Sequence, residues 1–198
     1  MTRIVFDSYE LGVLLPIQEF VKNKKSAKYF NREAAAAVIC ASKLFRNSPV
    51  SAGTPFYYET GIMEFEDYGL DRIADASLDE HGNFDQRFFV ERGAKAVMPL
   101  TQFKALYNMP LSLVSIEFGI VGDNAVIYAS AKGLLIQALH APVDNGILLG
   151  CGKVHQNGKV ESAFAFVDKH EIKDSTFLSF QGEGIEMFRT WHAEGKVK

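Results

Sequence analysis

The chain has 198 residues, 47% of them hydrophobic and 23% charged, and a formal net charge of −3. That composition fits a globular domain able to bury a core and excludes a disordered chain. No long run of Lys or Arg occurs, so nucleic-acid binding has no compositional support, and the short cluster Lys22, Asn23, Lys24, Lys25 reads as a solvated turn.

In chain order, Arg3 to Phe6 reads as a short strand, and Leu11 to Val21 fits either a second strand or the start of a helix. Asn31 to Phe45 is a helix: Asn31 is a candidate N-cap with Glu33 behind it, and Ala34, Ala37, Val38, Ala41 and Leu44 mark one face. Thr54 to Thr60 is aromatic and β-branched, hence a strand ended by Gly61. Glu64 to Ala76 has a helical character, Leu78 to Lys95 reads as an exposed polar excursion turning at Gly82-Asn83, and Val97 to Tyr107 reads as a helix. Gly146 to Cys151 and Val160 to Val167 form a hairpin about Gln156-Asn157-Gly158. Glu171 to Lys198 carries the only tryptophan, Trp191, and no recognisable pattern.

Cys40 and Cys151 lie in apolar stretches, so buried reduced thiols and a cytoplasmic setting are expected. The N-terminus lacks the apolar core of a signal peptide, and no apolar run reaches the length of a membrane span. None of His81, His140, His155, His170 and His192 has metal-ligand spacing with a cysteine or carboxylate, so no metal is expected.

Asn108 to Gly133 is the most informative stretch. It reads as a helix end, a short strand, a turn, the apolar strand Asn124 to Ala129, a sharp turn, and the helix Ala131 to His140. A strand that breaks sharply into a helix presents its corner residue where backbone N–H groups point outward, a place where enzymes hold nucleophiles. The corner residue is Ser130, in the context Tyr128-Ala129-Ser130-Ala131-Lys132 rather than G-x-S-x-G. No base stands near it in sequence, and Lys132, two residues on, points in a different direction at a helix start.

This stretch resembles the nucleophile region of β-ketoacyl synthases. In that family N-M-x-x-x-x-(V/I)-S-I-x-x-G-x-x-G-x-N leads into a strand and then T-A-C-A-S-G. The matching residues are Asn108, Met109, Val114, Ser115, Ile116, Gly119, Gly122 and Asn124, then Tyr128 to Gly133. A weaker resemblance runs from about Asn31 to about Asp168.

The resemblance implies an α/β chain, the N-terminal half of a thiolase-like fold, with a mixed five-stranded sheet and helices on both faces. Residues 1–168 would be the half domain, and 169–198 a tail packing on the domain or on a partner. Ser130 stands where the family carries its catalytic cysteine, and the second half, with its two histidines and lysine, has no counterpart in this chain. Catalytic incompetence of the chain alone is therefore expected, with Ser130 a vestigial nucleophile position.

The function implied is that of a chain-length-factor-like subunit pairing with a full-length ketosynthase in type II polyketide or aryl polyene biosynthesis. No cofactor of its own is expected, the acyl chain being presented on the phosphopantetheine of an acyl carrier protein. By family position, Phe103, Leu106, Tyr107 and Met109 would gate the acyl tunnel; Phe103, Leu106 and Tyr107, at i, i+3 and i+4, also fit a plain core stripe. Asn124, Val126, Ile127 and Tyr128 would form the dimer-interface strand. Neither nucleic acid nor membrane is expected as a partner. The alternatives are a stand-alone serine acyltransferase or thioesterase using Ser130, and a homodimeric binding scaffold.

Overall fold

The computed structural model describes residues 4–62, 70–97, 104–173 and 175–196. The chain divides into two compact units, Met1–Phe65 with Tyr107–Lys198, and Glu66–Leu106.

The first unit is an α/β layer built on one mixed sheet of five strands: β1 (Ile4–Tyr9), β2 (Phe56–Thr60), β3 (Asn124–Tyr128), β4 (Ile147–Val154) and β5 (Val160–Val167), in the order β1-β5-β4-β2-β3. Strand β2 pairs in parallel with β3 and with β4. β4 and β5 form the expected antiparallel hairpin, turning at Gly158 (φ 76°), and β1 adds antiparallel to β5.

Because strand side chains alternate between faces, the sheet has two separate cores. On one face Phe56, Tyr58, Leu148 and Phe164 pack against helices α1 (Arg32–Phe45) and α4 (Met109–Phe118). On the other, Tyr57, Leu149, Cys151 and Ala163 pack against α5 (Ala131–Leu139) and α7 (Gly184–Lys196). The segment beyond residue 168 thus belongs to this unit. Ile172 of α6 (Lys169–Lys173) and Phe177, Ile185, Met187 and Phe188 are buried against the sheet, and Trp191 lies tilted against Phe177 and Phe188, ring centroids 5.3 and 5.8 Å away.

Helix α1 follows its sequence signals closely. Asn31 Oδ1 accepts the Ala34 N–H at 2.7 Å, a cap of the kind worth about 1 kcal/mol. Its burial exceeds a single stripe, since every residue from Glu33 to Ala41 is buried between the sheet and α4. The undecided segment Leu11 to Val21 is neither strand nor α-helix; it is a loop holding one 3-10 turn at Ile17–Glu19. The lysine cluster opens a second 3-10 helix, Lys24–Tyr29, with Asn23 as its cap.

Two sequence expectations need correction. The short strand expected after Asn108 is helix α4. Pro110 sits in its first turn, where the missing N–H costs nothing, and Gly119 ends it at φ 71°. Its sequence is apolar nearly all round, so neither a helical nor a strand period is visible in it. The helix expected over Val97 to Tyr107 lies partly outside the described residues, at 98–103. Where it is described, Leu106, Tyr107 and Asn108 are not helical, so Leu106 and Tyr107 do not continue a helical stripe from Phe103.

In the second unit, α2 (Leu70–Ala76) agrees with the expected helix. The stretch read as an exposed excursion contains helix α3 (Gln86–Glu91), capped by Asp85, whose Oδ1 accepts from Arg87 N–H at 2.7 Å and Phe88 N–H at 3.1 Å. A bridge between Leu78 and Phe84 closes the turn around Gly82.

Gly119 and Gly122 of the resemblance motif have distinct structural reasons. Gly119 takes a left-handed conformation that costs other residues roughly 1–2 kcal/mol. Gly122 presses on the backbone entering β2: a Cβ there would lie 2.6 Å from the Gly53 carbonyl oxygen and closer still to that of Thr54. Gly122→Ala is therefore expected to destabilise by roughly 2–3 kcal/mol, more than Gly119→Ala at roughly 1–2 kcal/mol, in denaturant unfolding. Equal, negligible effects would contradict this packing.

Candidate functional site

In open α/β sheets, ligands and reacting groups gather beyond the carboxyl ends of parallel strands. Here those ends belong to β2, β3 and β4, and the chain leaves β3 directly into α5. Ala129 makes that corner with φ 47°, a value rare for a residue with a Cβ. Its N–H donates to the Thr60 carbonyl at 2.9 Å, which holds the strained residue in place. Ser130 follows, half-buried, as the N-cap of α5, and its Oγ accepts the Gly133 N–H at 3.0 Å.

Two of the donors at this corner already have partners within the protein. The Ala131 N–H donates to the Gly182 carbonyl at 2.9 Å, and that of Gly133 to Ser130 Oγ. Beneath them lies Glu59, on the α5 face of β2 and fully buried. The backbone N–H groups of Ser130 and Gly184, at the starts of α5 and α7, face its carboxyl, but neither carboxyl oxygen has a hydrogen-bond partner of good geometry. Gly184 admits the carboxyl because it has no side chain; a Cβ there would stand 2.7 Å from Glu59 Oε2.

Burial pushes the Glu59 carboxyl up to about 8, with Glu183 and Glu33 adding to the rise and the two N–H groups opposing it. Glu59 is accordingly a neutral acid at pH 7. On the opposite face of β2, Glu33 accepts from Tyr58 Oη at 3.1 Å and from Thr60 Oγ1 at 3.0 Å. Glu183, just before α7, lies 2.9 Å from Lys153 Nζ of β4, both side chains 11% exposed.

A second polar cluster clamps α7 to the sheet. Glu161 of β5 is buried yet accepts from His155 Nε2 and Lys159 Nζ, each at 2.8 Å, and from Arg189 of α7. Burial alone would raise this carboxyl, but the hydrogen bonds from Lys159 and His155 and the Arg189 guanidinium outweigh it and hold it below the usual carboxylate range. A cavity of about 540 Å³ at the adjoining hairpin turn is lined by His155, Gln156, Asn157 and Lys159.

The residues singled out from the sequence are only partly brought together. Tyr107 meets Tyr128 edge-on at 5.0 Å, both about half exposed. Met109 packs into the α1 core, Leu106 is exposed in the second unit, and Phe103 lies outside the described residues. Cys40 and Cys151 are buried free thiols. The His140 ring lies at the C-terminal end of α5, 2.8 Å from the Ile136 carbonyl, and His192 stacks on Phe6. Among the described residues no histidine, lysine or carboxylate hydrogen-bonds to Ser130 Oγ, and no group of three or more His, Cys, Asp or Glu is placed to hold a metal.

Strand β3 is an edge of the sheet. Phe56 N–H donates to Asp123 O at 2.8 Å and Ala129 N–H to Thr60 O at 2.9 Å, so odd-numbered residues bond to β2. The N–H and C=O groups of Asn124, Val126 and Tyr128 therefore point away from β2. Val126 and Ile127 pack their side chains into opposite cores, while Asn124 and Tyr128 are exposed.

Sequence reasoning found Ser130 and β3, placed Glu33 only behind the Asn31 cap, and passed over Glu59, Lys153 and Glu183. A lone carboxylate inside the aromatic run Phe56-Tyr57-Tyr58-Glu59-Thr60 was the available signal. No protein-family model matches this sequence, and no curated protein matches it.

Glu59 generates a pH prediction. Its folded pKa of about 8 lies above the unfolded value of about 4.3, so the native state binds the extra proton between them. Its contribution is full below about pH 4.3 and is lost as pH rises through about 8, at a cost of roughly 3–5 kcal/mol. Glu59→Gln removes that loss. Urea unfolding at several pH values between about 5 and about 8.5 should show wild-type stability falling relative to the variant. Parallel curves would refute a buried neutral carboxyl.

Proposed function

We propose that this chain is a non-catalytic, chain-length-factor-like subunit that pairs with a full-length ketosynthase and shapes the acyl tunnel of a type II polyketide or aryl polyene system. The observation that carries the reading is the closed corner at Ser130. A nucleophilic serine needs a base within hydrogen-bond reach and free donors aimed at the developing oxyanion. Here Ser130 Oγ caps α5, the Ala131 and Gly133 N–H groups have partners within the chain, and Glu59 is buried as a neutral acid under the corner.

The mixed five-stranded sheet with helices on both faces supports the half-domain of a thiolase-like fold. The open edge of β3, with the outward backbone groups of Asn124, Val126 and Tyr128, supports a partner that continues the sheet. In this role the acyl chain arrives on the phosphopantetheine of an acyl carrier protein, and the chain acts by excluded volume in the cytoplasm.

Co-expression with a ketosynthase from the same gene cluster, followed by size-exclusion chromatography with light scattering, should give a one-to-one heterodimer. Val126→Pro removes an outward N–H without taking a bond from β2 and should weaken that complex at least tenfold, as should Tyr128→Lys. A well-behaved monomer that ignores the ketosynthase would sink the subunit reading. Within an active complex, Phe103→Ala and Tyr107→Ala should each lengthen the product by at least one extension unit, read by mass spectrometry. Unchanged product length in both would remove them from the gate.

A further inference from the structure

We propose that the loop at residues 10–16 and the 3-10 helix Lys24–Tyr29 together form a docking face for an anionic lipid bilayer. The expectation of no membrane partner rested on the absence of a spanning segment, and a peripheral contact needs none.

The apolar part is the tip of the loop that follows β1. Leu14 is 89% exposed, Leu11 57% and Val13 46%. Three large apolar side chains exposed within four residues are unusual on a surface. The tip stands on a fixed base. The Arg32 guanidinium donates to Glu10 O at 2.9 Å and to Val13 O at 3.2 Å, Leu15 is buried, and Ile17 and Phe20 pack into the α1 core. On one side Leu11 rests against the hairpin turn: a Cβ on Gly158 would lie 2.6 Å from Leu11 Cδ1.

The cationic part adjoins it. Arg32, which ties down the loop, stands three residues after the end of the 3-10 helix that carries Lys24, Lys25 and Lys28. These three and Lys22 are all exposed, and none pairs with a carboxylate among the described residues. Lys28 Nζ lies 5.0 Å over the Tyr29 ring. From Glu10 to Arg32 there are five cations and two carboxylates, in a chain whose net charge is −3. Positive charge is thus concentrated beside the protruding leucines.

The combination selects the occupant. Exposed lysines attract any polyanion, but an apolar tip with Leu14 89% exposed gains free energy by entering a deformable apolar phase that closes around it, which a bilayer supplies. Lysines at the headgroup level with leucine and valine below it is the arrangement by which peripheral proteins hold anionic bilayers.

Flotation of the full-length chain with vesicles tests this. Binding is expected to phosphatidylcholine vesicles containing about 30% phosphatidylglycerol at about 0.05 M salt, with little binding to phosphatidylcholine alone and release by about 0.5 M salt. Leu14→Asp and the pair Lys24→Glu/Lys25→Glu should each lower affinity tenfold or more with unchanged circular dichroism. Leu14→Trp should show a blue shift of its emission when anionic vesicles are added. Failure of the wild type to float with anionic vesicles at low salt would overturn the proposal. So would binding that needs the lysines but is indifferent to Leu14→Asp, because the apolar loop would then take no part in the contact.

Discussion

Strand β2 has no surface of its own. It is paired on both edges and covered on both faces, and all five of its residues are buried. Yet four of the five carry polar atoms, and a buried polar atom must find a partner or neutralise itself. Those requirements register the neighbouring elements against the strand. Tyr58 and Thr60 fix Glu33 and with it the start of α1; Tyr57 Oη reaches Asp123 at 2.5 Å and fixes the entry to β3. Glu59 lies under the first residues of α5 and α7. One central strand thus indexes three helices and the corner at Ser130.

The two edges of the sheet are managed differently. β1 carries a charge, Asp7, held by Lys43 Nζ at 2.6 Å, and inward charges of this kind discourage a further strand. β3 reads Asn-Ala-Val-Ile-Tyr, without charge, and its outward backbone groups face no strand among the described residues. Tyr107 and Tyr128 extend that edge with aromatic surface. An uncharged, aromatic-flanked edge with unpaired backbone groups is a template for pairing with another strand, and that physical asymmetry favours β3 over β1 as the joining edge in the proposed subunit role.

Where local signals were strong, the sequence foretold the structure. The Asn31 cap and alanine-rich face specified α1, the small residues after Tyr128 specified the turn into α5, and Asn157-Gly158 specified the hairpin. Helix α4 was hidden because a helix buried nearly all round has no amphipathic period. Helix α3 was hidden because six residues are too few for periodicity, leaving Asp85 as its only marker. Ser130 could be placed at its corner from sequence, but its surroundings could not. The groups that close the corner, Glu59, Gly182 and Gly184, come from segments 71 and more than 50 residues away in the chain. Only the folded sheet brings them together.

The corner also shows why position alone does not make a nucleophile. A strand-to-helix turn supplies a partial positive charge and outward N–H groups, and an enzyme leaves these open for the reacting atom. In this chain the same features serve the fold: Ser130 caps, Gly182 accepts, and Glu59 lies below as an uncharged acid. Opening the corner for chemistry would mean moving the start of α7 and exposing a carboxyl with no hydrogen-bond partner of good geometry, against the packed core that α5 and α7 share. A filled corner of this kind fits the proposed role of a subunit that works by occupying space, because a packed interior yields to an inserted group only at the cost of strain.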